Sequence, residues 1–177
     1  MESFIKFPQQ FFNNIPKHNS TLDQFDDGLQ LLKYLLRLSI YFNEVEILIS
    51  TNDWLRARKI LDKSEEQLKK SKHFLVYLPR IKKLSAWVHN VKSEFSESES
   101  ELNLGLIIAK ELQNKKTYSE LLLHLGNCYF YQTKYDKALD CYNQVKEITL
   151  KTMKNNPDDL EYLKLHASIL NNIGMIY

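Results

Sequence analysis

From Ser119 to Ile148 the chain reads SELLLHLGNCYFYQTKYDKALDCYNQVKEI, and within it Leu125-Gly126, Tyr129, Tyr135-Asp136-Lys137-Ala138, Tyr142 and Val145 stand at helical spacings on either side of a short break. This is the pattern of a helix-turn-helix repeat. Gly126 lets a neighbouring helix approach closely, Tyr129 and Tyr142 fill the space between the paired helices, and Ala138 occupies a place where a larger side chain would force them apart. The pattern starts again at Ile173-Gly174-Met175-Ile176-Tyr177, where Gly174 and Tyr177 stand as far apart as Gly126 and Tyr129.

Composition agrees with an all-helical chain. With 177 residues there is room for three to four helical hairpins, and only 4 Gly and 4 Pro argue against an all-β or loop-rich fold. Lys and Arg number 24 against 22 Asp and Glu, so no global field draws the protein to nucleic acid or a membrane surface. No apolar run approaches the roughly 20 residues that span a bilayer, and the start, Met1 to Pro8, lacks a signal-peptide pattern. A cytoplasmic setting is expected, with the nucleus as the alternative. Cys128 and Cys141, the only cysteines, sit on the two helices of the clearest repeat and read as small buried thiols, though their proximity leaves a disulfide open.

Working outward, residues 1–19 form an aromatic arm with Phe4, Phe7, Phe11 and Phe12 among Pro8 and Pro16. The arm either docks on the first helices or binds another protein. A first helix opens at Ser20 or Thr21 and runs towards Ser50, carrying Leu29, Leu32, Leu35, Leu36, Ile40, Val45 and Leu48, with a bend near Ser39. Thr51-Asn52-Asp53 makes a turn, and Trp54-Leu55-Arg56-Ala57 repeats the order of Tyr135 to Ala138 at a distance of 81 residues, which fits two repeats of about forty. The intervening repeat is placed over Arg80 to Leu112, with its break at Ser96 to Ser98 and Leu102 as the equivalent of Ala57 and Ala138. Glu44-Val45 and His89-Asn90 then stand where Leu125-Gly126 stands, and Pro157 starts the last helix.

These residues together resemble the tetratricopeptide repeat (TPR) family in a long-helix variant. The resemblance implies an all-α, right-handed superhelical solenoid of about seven helices. It would comprise hairpins at about 20–72, 73–115 and 116–155 and an unpaired helix at 157–177. It also implies a scaffold or adaptor rather than an enzyme, which holds an extended peptide or partner helix against the first helix of each hairpin. Carried over from the Leu125-Gly126 anchor, the groove positions are Glu120, Leu123, Asn127, Phe130 and Tyr131, continued by Ser168, Asn171, Asn172 and Met175 on the last helix. Asparagine amides suit such a groove because each offers a donor and an acceptor to a peptide backbone. Relatives that clamp a chaperone's terminal carboxylate use a lysine where Leu123 stands here, so that role is disfavoured.

Other chemistry is sparse. His124 and Cys128 lie four apart, but no third and fourth ligand follow at a metal-binding spacing, so no metal or other cofactor is expected. Glu120 and His124 lack a nucleophile or phosphate loop and read as an exposed helix pair. Lys69, Lys70, Lys72, His73, Arg80, Lys82 and Lys83, with Phe74 and Tyr77 interleaved, form one basic cluster. It supports an RNA-associated repeat as an alternative, although the plainer reading is a helix end and a solvated face. The run Glu94 to Glu101 alternates acids with serines, as a solvated turn or a phosphorylation site would. A further alternative is a sensor module within a longer regulatory protein. An apolar stripe of Leu170, Ile173 and Tyr177 on the last helix points to a homodimer or to a truncated solenoid.

Overall fold

The computed structural model describes residues 23–69 and 74–177. The expected arm of residues 1–19, the helix start at Ser20 or Thr21, and the side chains of Leu29, Leu32 and Leu35 lie outside them. Among the described residues seven helices follow one another: α1 Asp23–Ser50, α2 Trp54–Lys69, α3 Phe74–Val91, α4 Phe95–Glu111, α5 Lys115–Tyr131, α6 Tyr135–Asn155 and α7 Leu160–Gly174. No strand occurs among the described residues. Each helix packs on the next, and the odd-numbered ones also touch in series, α1 on α3, α3 on α5 and α5 on α7. The even-numbered helices make no comparable contact with each other. An array tight in one layer and splayed in the other curves towards the tight layer, so the odd helices line the inside of a TPR-like solenoid.

Four of the turns share one device. Asn52, Ser93, Gln113 and Thr133 each take a left-handed backbone, with φ of 61°, 60°, 52° and 60°. The next residue's amide reaches back to close a six-residue Schellman loop: Asp53 to the Leu48 carbonyl, Glu94 to His89, Asn114 to Ala109 and Lys134 to Tyr129. None of the four is glycine, so sequence alone gives them little voice.

Once these turns are aligned, the true repeat appears. Trp54, Phe95 and Tyr135 each open the second helix of a hairpin. Ala57, Ser98 and Ala138 follow in its first turn, all fully buried. The equivalent of Ala57 and Ala138 is therefore Ser98, not Leu102, and the break lies at Lys92 to Glu94, not at Ser96 to Ser98. By the same register Val45, Ala86 and Gly126 occupy one place, so Ser85-Ala86 rather than His89-Asn90 stands opposite Leu125-Gly126. Two further expectations are corrected. α1 runs unbroken through Ser39, since it holds no proline, and α7 begins at Leu160, three residues beyond Pro157. There the Asp159 carboxylate caps the amides of Glu161 and Tyr162 at 3.2 and 3.3 Å.

Partners across the hairpins compensate in size. Facing Val45, Ala86 and Gly126 in register are Leu61, Leu102 and Tyr142, all buried. A Cβ built on Gly126 would lie 2.4 Å from Cε1 of Tyr142, whereas one on Gly174 meets nothing within 4 Å. The missing carbon of Gly126 is thus the room that the Tyr142 ring fills.

Gly126→Ala is expected to lower stability by about 2 kcal/mol in the parent chain and by little in a Tyr142→Leu background, where the pair copies Ala86 and Leu102. Gly174→Ala should be neutral or slightly stabilising. Urea unfolding of the four variants checks this; an equal cost at both glycines would refute it.

Candidate functional site

Helix α5 starts where Asn114 caps it, its side chain accepting from the Thr117 amide at 3.1 Å. It carries Glu120, Leu123, Asn127, Phe130 and Tyr131, of which Leu123 and Phe130 share the face of Gly126 and turn towards α6 while Tyr131 points further round the helix. Tyr131 is 60 % exposed, while Leu123 and Phe130 pack partly into the core, Phe130 with its ring 5.7 Å from that of Tyr135. On α7, Ser168, Asn171 and Met175 are exposed and Asn172 is half-buried. Glu120 and Ser168 line one cavity of about 250 Å³ between α5 and α7, together with Lys116 and Lys164.

Asn127 and Asn172 are brought together and bonded to each other. The Asn127 Oδ1 accepts from Asn172 Nδ2 at 2.8 Å and from the Tyr142 hydroxyl at 2.8 Å. Comparable links run along the whole inner layer. Between α1 and α3, Arg80 donates to Glu46 at 3.5 Å and lies over the Phe42 ring at 4.7 Å. From α3 to α5, Lys83 pairs with Glu120 at 2.6 Å, and the Trp87 and His124 rings stand 6.1 Å apart. Sequence reasoning missed Arg80, Lys83, Trp87 and Val91 as inner-face residues because the second hairpin was set one turn out of register. The small buried residue Ser98 was the signal that would have corrected it.

The same links engage the described part of the basic cluster. Lys82 is buried between Glu65 and Glu101 at 3.3 and 2.9 Å, and Arg80 and Lys83 are paired as above. Lys70, Lys72 and His73 lie outside the described residues. The acidic run is likewise engaged: Glu94 binds His89 and Lys92, Glu99 accepts from the Tyr129 hydroxyl, and Ser98 is buried. The carboxyl of Glu94 is held below the usual range by its hydrogen bonds to Lys92 and His89. Cys128 and Cys141 are free, buried thiols, and burial pushes both above the ordinary thiol range, Cys141 to about 11. Among the described residues no three ligating side chains cluster for a metal.

The family model for the TPR repeats of Integrator complex subunit 8 matches residues 6–173. The chain belongs to that family. No curated protein and no solved structure matches it. No described helix of this TPR protein is long and apolar enough to cross a membrane.

Within these TPR repeats one expected surface pair proves to be internal. His124 is packed beneath Trp87, and its pKa is lowered from 6.5 to about 4, first by burial and then by the charge of Lys83, with Glu120 acting the other way. The folded protein therefore keeps the imidazole neutral while the unfolded chain takes up a proton near pH 6.5. Between about pH 6.5 and 4 the unfolded state binds more protons, so stability falls as acid is added, by on the order of 2 kcal/mol in all. Replacing His124 with Gln should flatten that part of the stability curve; chemical denaturation at pH 7, 5.5 and 4.5 reads the slope.

Proposed function

We propose that this TPR domain is a non-catalytic scaffold that holds an extended segment or helix of a protein partner along its inner layer. One observation carries the reading. The Asn127–Asn172 bond fixes α5 against α7, and within one helical turn of that pair Tyr131 and Met175 stand 60 % and 55 % exposed. Large side chains exposed on a frame that need not be rearranged offer contact area without a cost of ordering the backbone, which is what an interaction surface requires. The partner segment would run past Ser168, Asn171 and Met175 on one wall and Glu120, Leu123, Phe130 and Tyr131 on the other. Asn127 and Asn172 set the spacing of the two walls.

The family is named for a subunit of a multi-subunit complex, which supports a partner of the same kind: another protein of a stable assembly rather than a small ligand. A cytoplasmic or nuclear setting belongs to the same proposal. The pairing of Arg80, Lys82 and Lys83 with acids takes three of the seven cations away from an RNA-binding face. Benzoylphenylalanine placed at Tyr131 should photo-crosslink peptides from an immobilised library, and at the exposed Asn143 of α6 it should not. Capture that is equal at the two positions would sink the inner-groove reading.

A second reading rests on α7. Leu170 and Tyr177 are 47 % and 93 % exposed, and with Ala167 and Gly174 they form a stripe whose counterpart on α5 is covered by α6. Ile173 is not part of it, because it packs partly into the core. The proposed occupant is the α7 of a second copy, since the stripe is self-complementary: about a two-fold axis at position 172, Ala167 meets Tyr177 and Leu170 meets Gly174, small against large. Light scattering over a concentration series should read a dimer for the parent chain and a monomer for Leu170→Lys combined with Tyr177→Lys. A mass that the substitutions leave unchanged counts against it.

A further inference from the structure

A cavity lined by α4, α5, α6 and α7 lies away from the inner groove. It has a volume of about 750 Å³ and sits where the ends of α4 and α6 meet the starts of α5 and α7. Its size is that of a ligand site, roughly 300 to 1,000 Å³. The cavity exists because α6 has 21 residues while α4 and α5 have 17 each. The surplus turn overhangs the α4–α5 connection and roofs a space that a helix of equal length would leave open.

Its lining has a definite chemistry. Lys110, Lys115 and Lys151 line it, from three different helices, and no aspartate or glutamate does. None of the three lysines makes an ion pair among the described residues. Tyr118, Ile148 and Tyr162 supply apolar surface between them. At the α7 end the Asp159 carboxylate is occupied in capping the Glu161 and Tyr162 amides. Three ammonium groups left without counter-charges around a partly apolar hollow are complementary to a ligand with an apolar body and acidic groups on both sides of it.

We infer that this cavity is a second docking site, specific for a short acidic segment of a partner protein that inserts an apolar side chain between flanking carboxylates. A nucleic acid strand fits less well. A polyanion needs a continuous track of cations, and here three lysines surround a single hollow. The site is independent of the inner groove and of α7 self-association, and it stands or falls separately from both.

The test uses the full chain and a fluorescein-labelled hexapeptide with two central leucines flanked on each side by two glutamates, read by anisotropy. Lys115→Glu and Lys151→Glu change exposed residues, so both variants are expected to fold, which circular dichroism verifies. Each should weaken binding about tenfold or more. Lys154→Glu alters the same helix outside the cavity and should weaken it less than about twofold. Equal losses from Lys151→Glu and Lys154→Glu would mean attraction without a site and would overturn the inference. So would full displacement of the peptide by a single-stranded oligonucleotide of equal charge, or no binding by the parent chain.

Discussion

The C-terminal half of the solenoid depends on the ring of Tyr142 lying against the bare backbone of Gly126. With no Cβ in the way, α6 comes close enough to α5 for the Tyr142 hydroxyl to reach the side chain of Asn127, 15 residues earlier in the chain. The same Asn127 oxygen takes a second hydrogen bond from Asn172, so one glycine, one ring and two amides tie α5, α6 and α7 together. A buried polar link of this kind favours one arrangement strongly, because any other leaves a desolvated hydroxyl or amide without a partner. The asparagine that looks most like a ligand donor in the sequence is therefore first a structural residue.

Much of this was legible in the residues, and the failures have physical causes. The third hairpin could be read because its small and large partners are extreme, glycine against tyrosine. In the second hairpin the same contact is made by Ala86 and Leu102, neither of which stands out from an ordinary apolar stripe, and the marker alanine is a serine, Ser98. A reader guided by hydrophobicity is drawn to Leu102, one turn too far. The turns escape for a related reason: glycine is the usual sign of a left-handed residue, and here Asn52, Ser93, Gln113 and Thr133 take that role. Of the candidate groove, the positions on α5 and α7 come from the resemblance alone, through the Leu125-Gly126 anchor. The links from Arg80 to Glu46 and from Lys83 to Glu120 were not legible, since they join residues 34 and 37 apart that only the stacked layer brings together.

Those links bear on how the inner layer works. An exposed ion pair contributes little to stability, and a buried one recovers little more than its desolvation cost. Lys83 and Glu120, mostly shielded but not sealed off, fall between these cases. Their clearer effect is on register. Charged and amide pairs occur at α1–α3, α3–α5 and α5–α7 in turn, and a slip of one helix along its neighbour would separate each of them by a turn. The inner layer is thus held in one register by its own side chains, and on the proposed function a partner would meet walls that it need not order.

The period of the solenoid is set on the other side of the molecule. Left-handed residues at Ser93, Gln113 and Thr133 are spaced 20 apart, so α4 and α5 are equal in length and their ends fall level. Non-glycine residues hold that conformation at a cost of roughly 1 kcal/mol each. The amide bonds of the closed loops offset this cost and satisfy carbonyls at the helix ends. After Thr133 the constraint lapses, because α6 ends at Asn155 and passes to Asp159 through a turn that has no left-handed residue, closed by the Asp159 amide donating to the Asn156 carbonyl at 3.4 Å. A uniform helix pair buries its ends against the next, but a pair with one overlong member cannot. The same departure from the 20-residue rule that lets α7 start late also leaves the hollow between Lys110, Lys115 and Lys151 unfilled. The two surfaces proposed for binding thus rest on opposite conditions: strict register along the inner layer, and its relaxation at the single turn between α6 and α7.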